Sequence, residues 1–281
     1  MVPLQFIYNN LILNNMNIAI ITTQALADQN IKKHLEFEEL EEEYKGRKVL
    51  VYQNIKLYEI DENSINCEGI DKEIDADVFV FATKHKSESG KPTLTCHAPG
   101  NWNKAEFGGE EKKLCIAPAY YLKQFFLALK QYEEKTESEI SLEVTHHGPL
   151  MEKPCMFVEI GSSEIQWEDE TFGKIISDCI KEVFTKEDKV ESCLFIGGGH
   201  YNNYANKIME RTDLAVGHIC PKYAVEFLDE EMITQALEKT LPKAKMVVLD
   251  WDGLGGHKQR LVEILDKLDI KCERAKKILK R

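Results

Sequence analysis

Short apolar, β-rich runs recur along the chain, and most give way to a stretch with helical character. Asn17–Thr22 (NIAIIT) reads as a strand, with a helix over Gln24–Glu36 behind it. Lys48–Ile60 holds two β-rich pieces, KVLVYQ and IKLYEI, and Asp77–Ala82 (DVFVFA) is a short strand of buried type. Pro118 suits the first turn of a helix running to about Glu133. Ile140, Leu142 and Val144 alternate with Ser141, Glu143 and Thr145, the two-residue period of a strand.

The second half repeats the theme. Cys155–Ile160 (CMFVEI) is a strand, and Ser163 with Gln166 makes a capping box for a helix through Phe184. Ser192–Ile196 is a strand ending in three glycines, with a helix after about Asn202. Leu214–Ile219, a helix near Glu230–Lys239, Met246–Asp250 and a helix over His257–Leu268 complete the series. This alternation predicts an α/β fold, a mostly parallel or mixed central sheet flanked by helices. Residues 16–281 are expected to form one α/β domain, and residues 1–15 are taken as an over-called start ahead of Met16.

Composition narrows the picture. The 281 residues carry 48 acidic and 36 basic side chains, a formal charge of −12. That balance argues against a protein that coats DNA or RNA, while leaving room for a local basic patch. No run approaches the roughly 20 apolar residues that span a bilayer, and the apolar start has neither a basic beginning nor a cleavage site. A cytoplasmic protein without a membrane partner is expected. The eight cysteines contain no C-x-x-C pair and read as reduced core thiols. The acidic run Glu36–Glu43 reads as a solvated helix end, and the basic C-terminus (KCERAKKILKR) as a solvated amphipathic helix that can alternatively touch phosphates.

Ligands in open parallel sheets sit beyond the carboxyl ends of strands, and the residues there are unusually polar. DVFVFA leads to Thr83-Lys84-His85-Lys86, ISLEVT to His146-His147-Gly148-Pro149, CMFVEI contains Glu159, and SCLFI leads to Gly197-Gly198-Gly199-His200. Six of the eight histidines (85, 97, 146, 147, 200 and 218) lie at strand ends or in the long loop Thr83–Gly109. That loop is longer than ordinary connections and is expected to be functional. Between Thr83 and Lys104 it has four lysines and one acidic residue, a place to steer a phosphate-bearing substrate.

A catalytic zinc usually has three protein ligands and an open position. His146 or His147, His200, and His97 or Glu159 can supply them; alternatively these groups act as acid, base and oxyanion donors without metal. The three glycines resemble an anion-binding turn or, in the plainer alternative, a tight structural turn. They match neither G-x-G-x-x-G nor a Walker loop, so a dinucleotide fold is poorly supported. Ser162 and Ser163 lack the G-x-S-x-G elbow of a serine hydrolase.

As an ordered set, LTCHAPGNW (94–102), THHGP (145–149), VEIGSS (158–163), GGGHY (197–201), GHICPKYA (217–224) and DWDG (250–253) resemble the archaeal-type D-aminoacyl-tRNA deacylases. The resemblance runs from about Met16 to the last helix. It implies an α/β core related to peptidyl-tRNA hydrolase and phosphorylase-like folds, a zinc cofactor, and hydrolysis of the ester joining a D-amino acid to the tRNA 3′ end. Matched positions are His97, Asn101, Trp102, His146, His147, Glu159, Gly197 to His200, His218, Lys222 and Tyr223. On that basis His146, His200, Glu159 and His97 are expected to be catalytic, and His146, His147 and His200 to hold metal. Lys84, His85, Asn101, Trp102, Gly197, Gly198, Gly199, Lys222 and Tyr223 are expected to bind substrate, with Trp102 stacked on the terminal adenine and the glycine turn at the oxyanion. The expected partner is the tRNA 3′ end, not DNA, and the expected state is a monomer. The rival readings are a peptidyl-tRNA hydrolase-like esterase and a non-enzymatic metal- or RNA-binding module.

Overall fold

The computed structural model describes residues 16–184 and 190–281, so the expected over-called start, residues 1–15, lies outside the described residues. The described strands are, in chain order, β1 (Ile18–Thr22), β2 (Glu38–Tyr44), β3 (Arg47–Tyr52), β4 (Ile55–Glu59), β5 (Val78–Lys84), β6 (Thr93–His97) and β7 (Ala117–Pro118). The rest are β8 (Glu139–Leu142), β9 (Cys155–Gly161), β10 (Glu191–Ile196), β11 (Leu214–Cys220), β12 (Thr240–Leu241), β13 (Met246–Leu249) and β14 (Cys272–Arg274).

Eight strands form one sheet in the order β2-β3-β4-β1-β5-β9-β6-β8, and four form a second in the order β11-β10-β13-β14. In the first sheet β4, β1, β5 and β9 are parallel, β6 runs antiparallel to β9, and β2-β3-β4 is an antiparallel meander. The second sheet is parallel throughout. The architecture is therefore the mixed sheet flanked by helices that the alternation predicts. Helix Ala119–Lys130 packs on helix Glu170–Val183 and on β11, which draws the sheets together. One continuous apolar cluster contains Ile20 and Val80 of the first sheet with Phe195, Val216 and Val248 of the second. Among the described residues no helix is long and apolar enough to cross a membrane. All eight cysteines are free, and seven are buried.

Local chemistry explains the element ends. Ser163 and Gln166 form the expected capping box, but Asp169 adopts extended backbone and splits the segment into helices Glu164–Glu168 and Glu170–Val183. Asn202 caps helix Asn203–Arg211 by accepting from the Ala205 N–H at 3.1 Å. Strand β9 is buried along its whole length because both faces of the sheet are covered. Met156, Val158 and Ile160 face one apolar cluster, and Cys155 and Phe157 another.

Two expectations are corrected. The acidic run is not a helix end: Glu38–Tyr44 is an exposed edge strand. Lysines on β3 and β4 answer it, with Lys48 3.3 Å from Glu43 and Lys56 2.5 Å from Glu42. Such exposed pairs stabilise little, but a charged edge discourages further strand pairing. The long segment 83–109 is not a loop throughout, for β6 lies inside it, fully buried between β9 and β8.

His218, expected near the site from motif matching, is instead a core residue on β11. Its Nε2–H faces the carbonyls of Cys115 (3.0 Å) and Lys239 (3.1 Å), which leaves Nδ1 to accept from the Thr145 hydroxyl at 3.1 Å. Burial holds the imidazole neutral, pushing its pKa down from 6.5 to about 4. The unfolded side chain takes a proton below pH ~6.5 while the folded one resists until pH ~4. Its contribution is therefore complete above pH ~6.5 and declines as pH falls toward 4, by on the order of 3 kcal/mol over the window. His146 and His147 share this direction, so the difference in slope is the diagnostic quantity. His218→Gln should be less stable at pH 7.5 but lose less stability between pH 7.5 and 5 in urea titrations. Equal slopes for the two proteins would remove His218 from this account.

Candidate active site

Two sheets meet at the site. His97 ends β6, and its ring stacks on Phe157 of β9 with centroids 5.2 Å apart. Glu159 lies two residues further along β9, so the pleat places it on the same face. His85 follows β5 and is fixed by its N–H donating to the Ile160 carbonyl at 2.9 Å. Beyond β8 the chain crosses to the second sheet. The Glu143 N–H donates to Cys96, the Val144 N–H to the His200 carbonyl, and the Thr145 N–H to Ile219. His146 and His147 follow, and a left-handed His147 (φ 46°) turns the chain into Gly148-Pro149.

Five imidazoles and two carboxylates therefore converge. Ring centroids are 4.3 Å apart for His97 and His146, 4.3 Å for His146 and His147, and 4.9 Å for His146 and His200. His200 Nε2 lies 2.8 Å from Glu143 Oε2, and His85 Nδ1 lies 3.2 Å from Glu143 Oε1 and 3.5 Å from Glu159 Oε2. Tyr201 places its hydroxyl 3.0 Å from His85 Nε2. His97, His146 and His147 each direct Nδ1 to a backbone carbonyl, of Ala98, Val144 and Gly148 respectively. Their Nε2 atoms make no hydrogen bond, with His97 Nε2 3.7 Å from Glu159 and His146 Nε2 3.6 Å from Glu143, and neutral rings held this way are oriented toward a cation.

Three buried atoms in this set, His97 Nε2, Glu143 Oε1 and Glu159 Oε2, lack a hydrogen-bond partner. Three groups present ligand atoms within 4.8 Å of one another: His97 with His146 and His147, His85 with Glu143 and His200, and His97 with Glu143 and Glu159. Of the expected metal set, His146 and His147 thus group with His97, while His200 belongs with His85 and Glu143.

Charge is distributed unevenly. Burial would raise Glu143, but the His200 hydrogen bond and the facing His85, His97 and His146 hold its pKa well below the usual range. Glu159 is likewise lowered against the effect of burial, by His85 and His97. Burial works to lower His85 and His97, yet Glu159 and Glu143 outweigh it and raise both. His146 and His147 move the other way, driven down by burial and by His97, His147 to about 4. Two carboxylates are thus balanced by two imidazoles that favour the proton and two that refuse it.

His85, His146, His147, Glu159 and His200 form one wall of an open cleft of ≈ 740 Å³ beyond the carboxyl ends of β1 and β5, with His97 and Glu143 buried behind them. The first sheet runs from β1 outward to β4 and from β5 to β9 on the other side, so the cleft lies where strand order reverses. Lys84, Lys86 and Phe107 line its rim, and Phe107 is 67% exposed.

Other expected site residues lie elsewhere. Trp102 is buried in an apolar cluster of the second sheet and donates to the Thr145 carbonyl, so its ring is closed to a stacked base. Asn101 is also buried and holds its own loop through the carbonyls of Gly108 and Glu110. Gly197 spends its N–H on Cys220, and the Gly198 carbonyl accepts from Lys222. A Cβ on Gly197 would lie 2.9 Å from Asp250, so this glycine admits the neighbouring turn instead of cradling an oxyanion. Lys222 and Tyr223 are exposed outside the cleft lining. Glu143, Tyr201 and Phe107 escaped notice in the sequence. Glu143 falls on the polar phase of an alternating strand and so mimics a solvent-facing residue.

The family model for D-aminoacyl-tRNA deacylases matches residues 72–273. The D-aminoacyl-tRNA deacylase of Pyrococcus furiosus is 34% identical over 261 residues, 89% of this chain and 96% of that protein. The one from Methanosarcina acetivorans is 34% identical over 277 residues, 92% of each. The crystal structure of a conserved protein of unknown function, 27% identical, matches with a TM-score of 0.88 over 94% of this chain and 97% of that one. This chain belongs to the D-aminoacyl-tRNA deacylase family.

Proposed function

We propose that this protein hydrolyses the ester between a D-amino acid and the terminal ribose of tRNA, releasing both as a step of translation quality control in the cytoplasm. One observation carries the chemistry: five histidines and two buried glutamates cluster at the wall of an open cleft, with three of their buried polar atoms making no hydrogen bond. The names of the relatives supply the substrate.

The donor set fits zinc. His97, His146 and His147 are the ligands of choice, because each has Nδ1 committed to a carbonyl and Nε2 without a hydrogen bond. His85 and His200 are already engaged by Tyr201 and Glu143. When bound there, zinc supplies Lewis acidity toward the ester carbonyl and eases ionisation of water at neutral pH.

The remaining groups handle protons and position. His200 is partly open to the cleft, and Glu143 fixes its orientation through Nε2. Its other ring nitrogen accepts the proton of the attacking water and returns it to the departing ribose oxygen. Glu143 stabilises the imidazolium formed in between, as a buried carboxylate does for a catalytic histidine. Glu159 orients His85 and His97. Lys84 and Lys86 stand at the rim for the phosphates, and the exposed Phe107 takes the stacking role for which Trp102 is too deeply buried.

Glu143→Gln should lower kcat on D-aminoacyl-tRNA by roughly 10² or more while the circular dichroism stays native. Undiminished turnover would sink the His200–Glu143 assignment. Chelation should abolish activity, added zinc should restore it, and His147→Ala should lose metal by elemental analysis. A protein verified to be metal-free and fully active would end the zinc assignment alone. Phe107→Ala should raise KM roughly tenfold with little change in kcat, and Phe107→Trp should recover it; an unaltered KM in the alanine variant would exclude the stacking role.

A further inference from the structure

The second sheet repeats the construction that positions the active cleft. From β10 the chain passes through helix Asn203–Arg211 to β11 on one side; from β13 it passes through helix Lys258–Lys267 to β14 on the other. The loops leaving β10 and β13 therefore diverge, and crevices at such points are where parallel sheets bind ligands. Here the crevice is a cleft of ≈ 820 Å³ between the Asp250–Asp252 turn, Tyr204 and the segment 272–277. The hydrolytic chemistry uses none of it.

Its lining sets two aromatic rings, Tyr204 and Trp251, among four cations (Arg274, Lys276, Lys277 and Lys280) and three acids (Asp250, Asp252 and Glu273). The Arg274 guanidinium lies 3.9 Å from the centroid of the half-buried Trp251 ring, and the Lys258 ammonium 5.5 Å from it. Lys276 is paired with Asp252 at 2.6 Å. Arg274, Lys277 and Lys280 are exposed and, among the described residues, make no close ion pair, although the Asp252 carboxylate acts on Arg274 at longer range. The last eleven residues hold six basic side chains and one acidic, in a chain of net charge −12. A stacked indole–guanidinium pair flanked by free ammonium groups suits bases and phosphates of a single strand, since every base has a π-face.

Continuity with the active cleft selects the strand. The loop after β10 borders this crevice at Gly197 and Gly198, where it packs against Asp250 and Gly253, and two residues later presents His200 to the histidine cluster. An ester held at the cluster belongs to the last nucleotide of an RNA, and the nucleotides before it must leave along a neighbouring surface.

We propose that the Trp251–Arg274 cleft binds the unpaired nucleotides and phosphates that precede the terminal adenosine of tRNA. The identity of the RNA rests on the deacylase proposal, whereas the binding surface does not. Uncharged tRNA binding, measured by filter retention across a salt series, reads the surface without any turnover. Lys277→Ala/Lys280→Ala should weaken binding at low salt at least tenfold and reduce the slope of log K against log salt by about 1.4, the value for two single-strand phosphate contacts. Trp251→Ala should weaken binding roughly tenfold with little change in slope, and Trp251→Phe should recover most of it.

With the lysine pair replaced, the ratio of kcat/KM on D-aminoacyl-tRNA to that on D-aminoacyl-adenosine should fall at least tenfold, because the small ester has no nucleotide to place in this cleft. Wild-type affinity and slope in the lysine variant would overturn the proposal, as would equal competition by an RNA stem lacking unpaired 3′ nucleotides. If the wild type hydrolyses neither ester, the deacylase proposal fails, and the binding series still decides the surface.

Discussion

Everything at the site depends on one buried contact, the Glu143 carboxylate against the His200 imidazole. Glu143 comes from the edge of the eight-stranded sheet and His200 from the loop beyond the four-stranded one. A fully buried carboxylate costs several kcal/mol in lost hydration unless cations and donors surround it. The fold meets that requirement by bringing histidines from four separate chain segments to Glu143 and Glu159. Removing His200 would take from the buried Glu143 carboxylate a hydrogen bond that the facing histidines do not replace, which explains why site and sheet junction coincide. The same contacts that join the two sheets also set the electrostatic field of the histidine cluster.

Much of the architecture is legible in the sequence because nearly every strand announces itself as a compact apolar run. The histidines at strand ends are legible too, since polar residues just past such runs have few structural excuses. What fails is informative. Glu143 occupies the polar phase of ISLEVT, and period-2 alternation assigns that phase to solvent. In a sheet covered on both faces, the same phase points into a second interior, and a buried acid looks like a surface one. Strand β6 (TLTCH) is missed for a related reason: two threonines and a cysteine carry little hydrophobic signal, and its neighbours in the sheet are distant in sequence. Trp102 shows the converse error. Motif position suggested a stacking platform, but its indole N–H finds the Thr145 carbonyl and its ring fills the core.

The acidic edge strand and the basic last segment are two sides of one charge distribution. Negative charge concentrates on β2, where it blunts an exposed edge, and unpaired positive charge gathers where the second sheet opens its crevice. A net charge of −12 therefore describes the average of the surface, not the basic segment proposed to meet RNA. Contacts limited to a single-stranded end need few cations, so a strongly acidic protein can still take a polyanionic substrate.

The pair His146-His147 shows how backbone geometry decides what a motif can do. On a regular strand adjacent side chains diverge to opposite faces, and two neighbouring histidines cannot share a ligand. Here His147 adopts a left-handed conformation, φ 46°, that costs a residue with a Cβ on the order of 1 kcal/mol. The turn abolishes the alternation and brings both rings, 4.3 Å apart, to the same side as His97. Gly148 is needed immediately after, because a Cβ there would fall 2.3 Å from the backbone nitrogen of Gly109 and 2.6 Å from the Ile65 carbonyl oxygen. The segment THHGP is therefore a conformational device before it is a chemical one. Its glycine lets two loops close over the chain, and that closure holds the strained histidine in place. Substituting the glycine would disturb the cluster without touching any of its nitrogen or oxygen atoms.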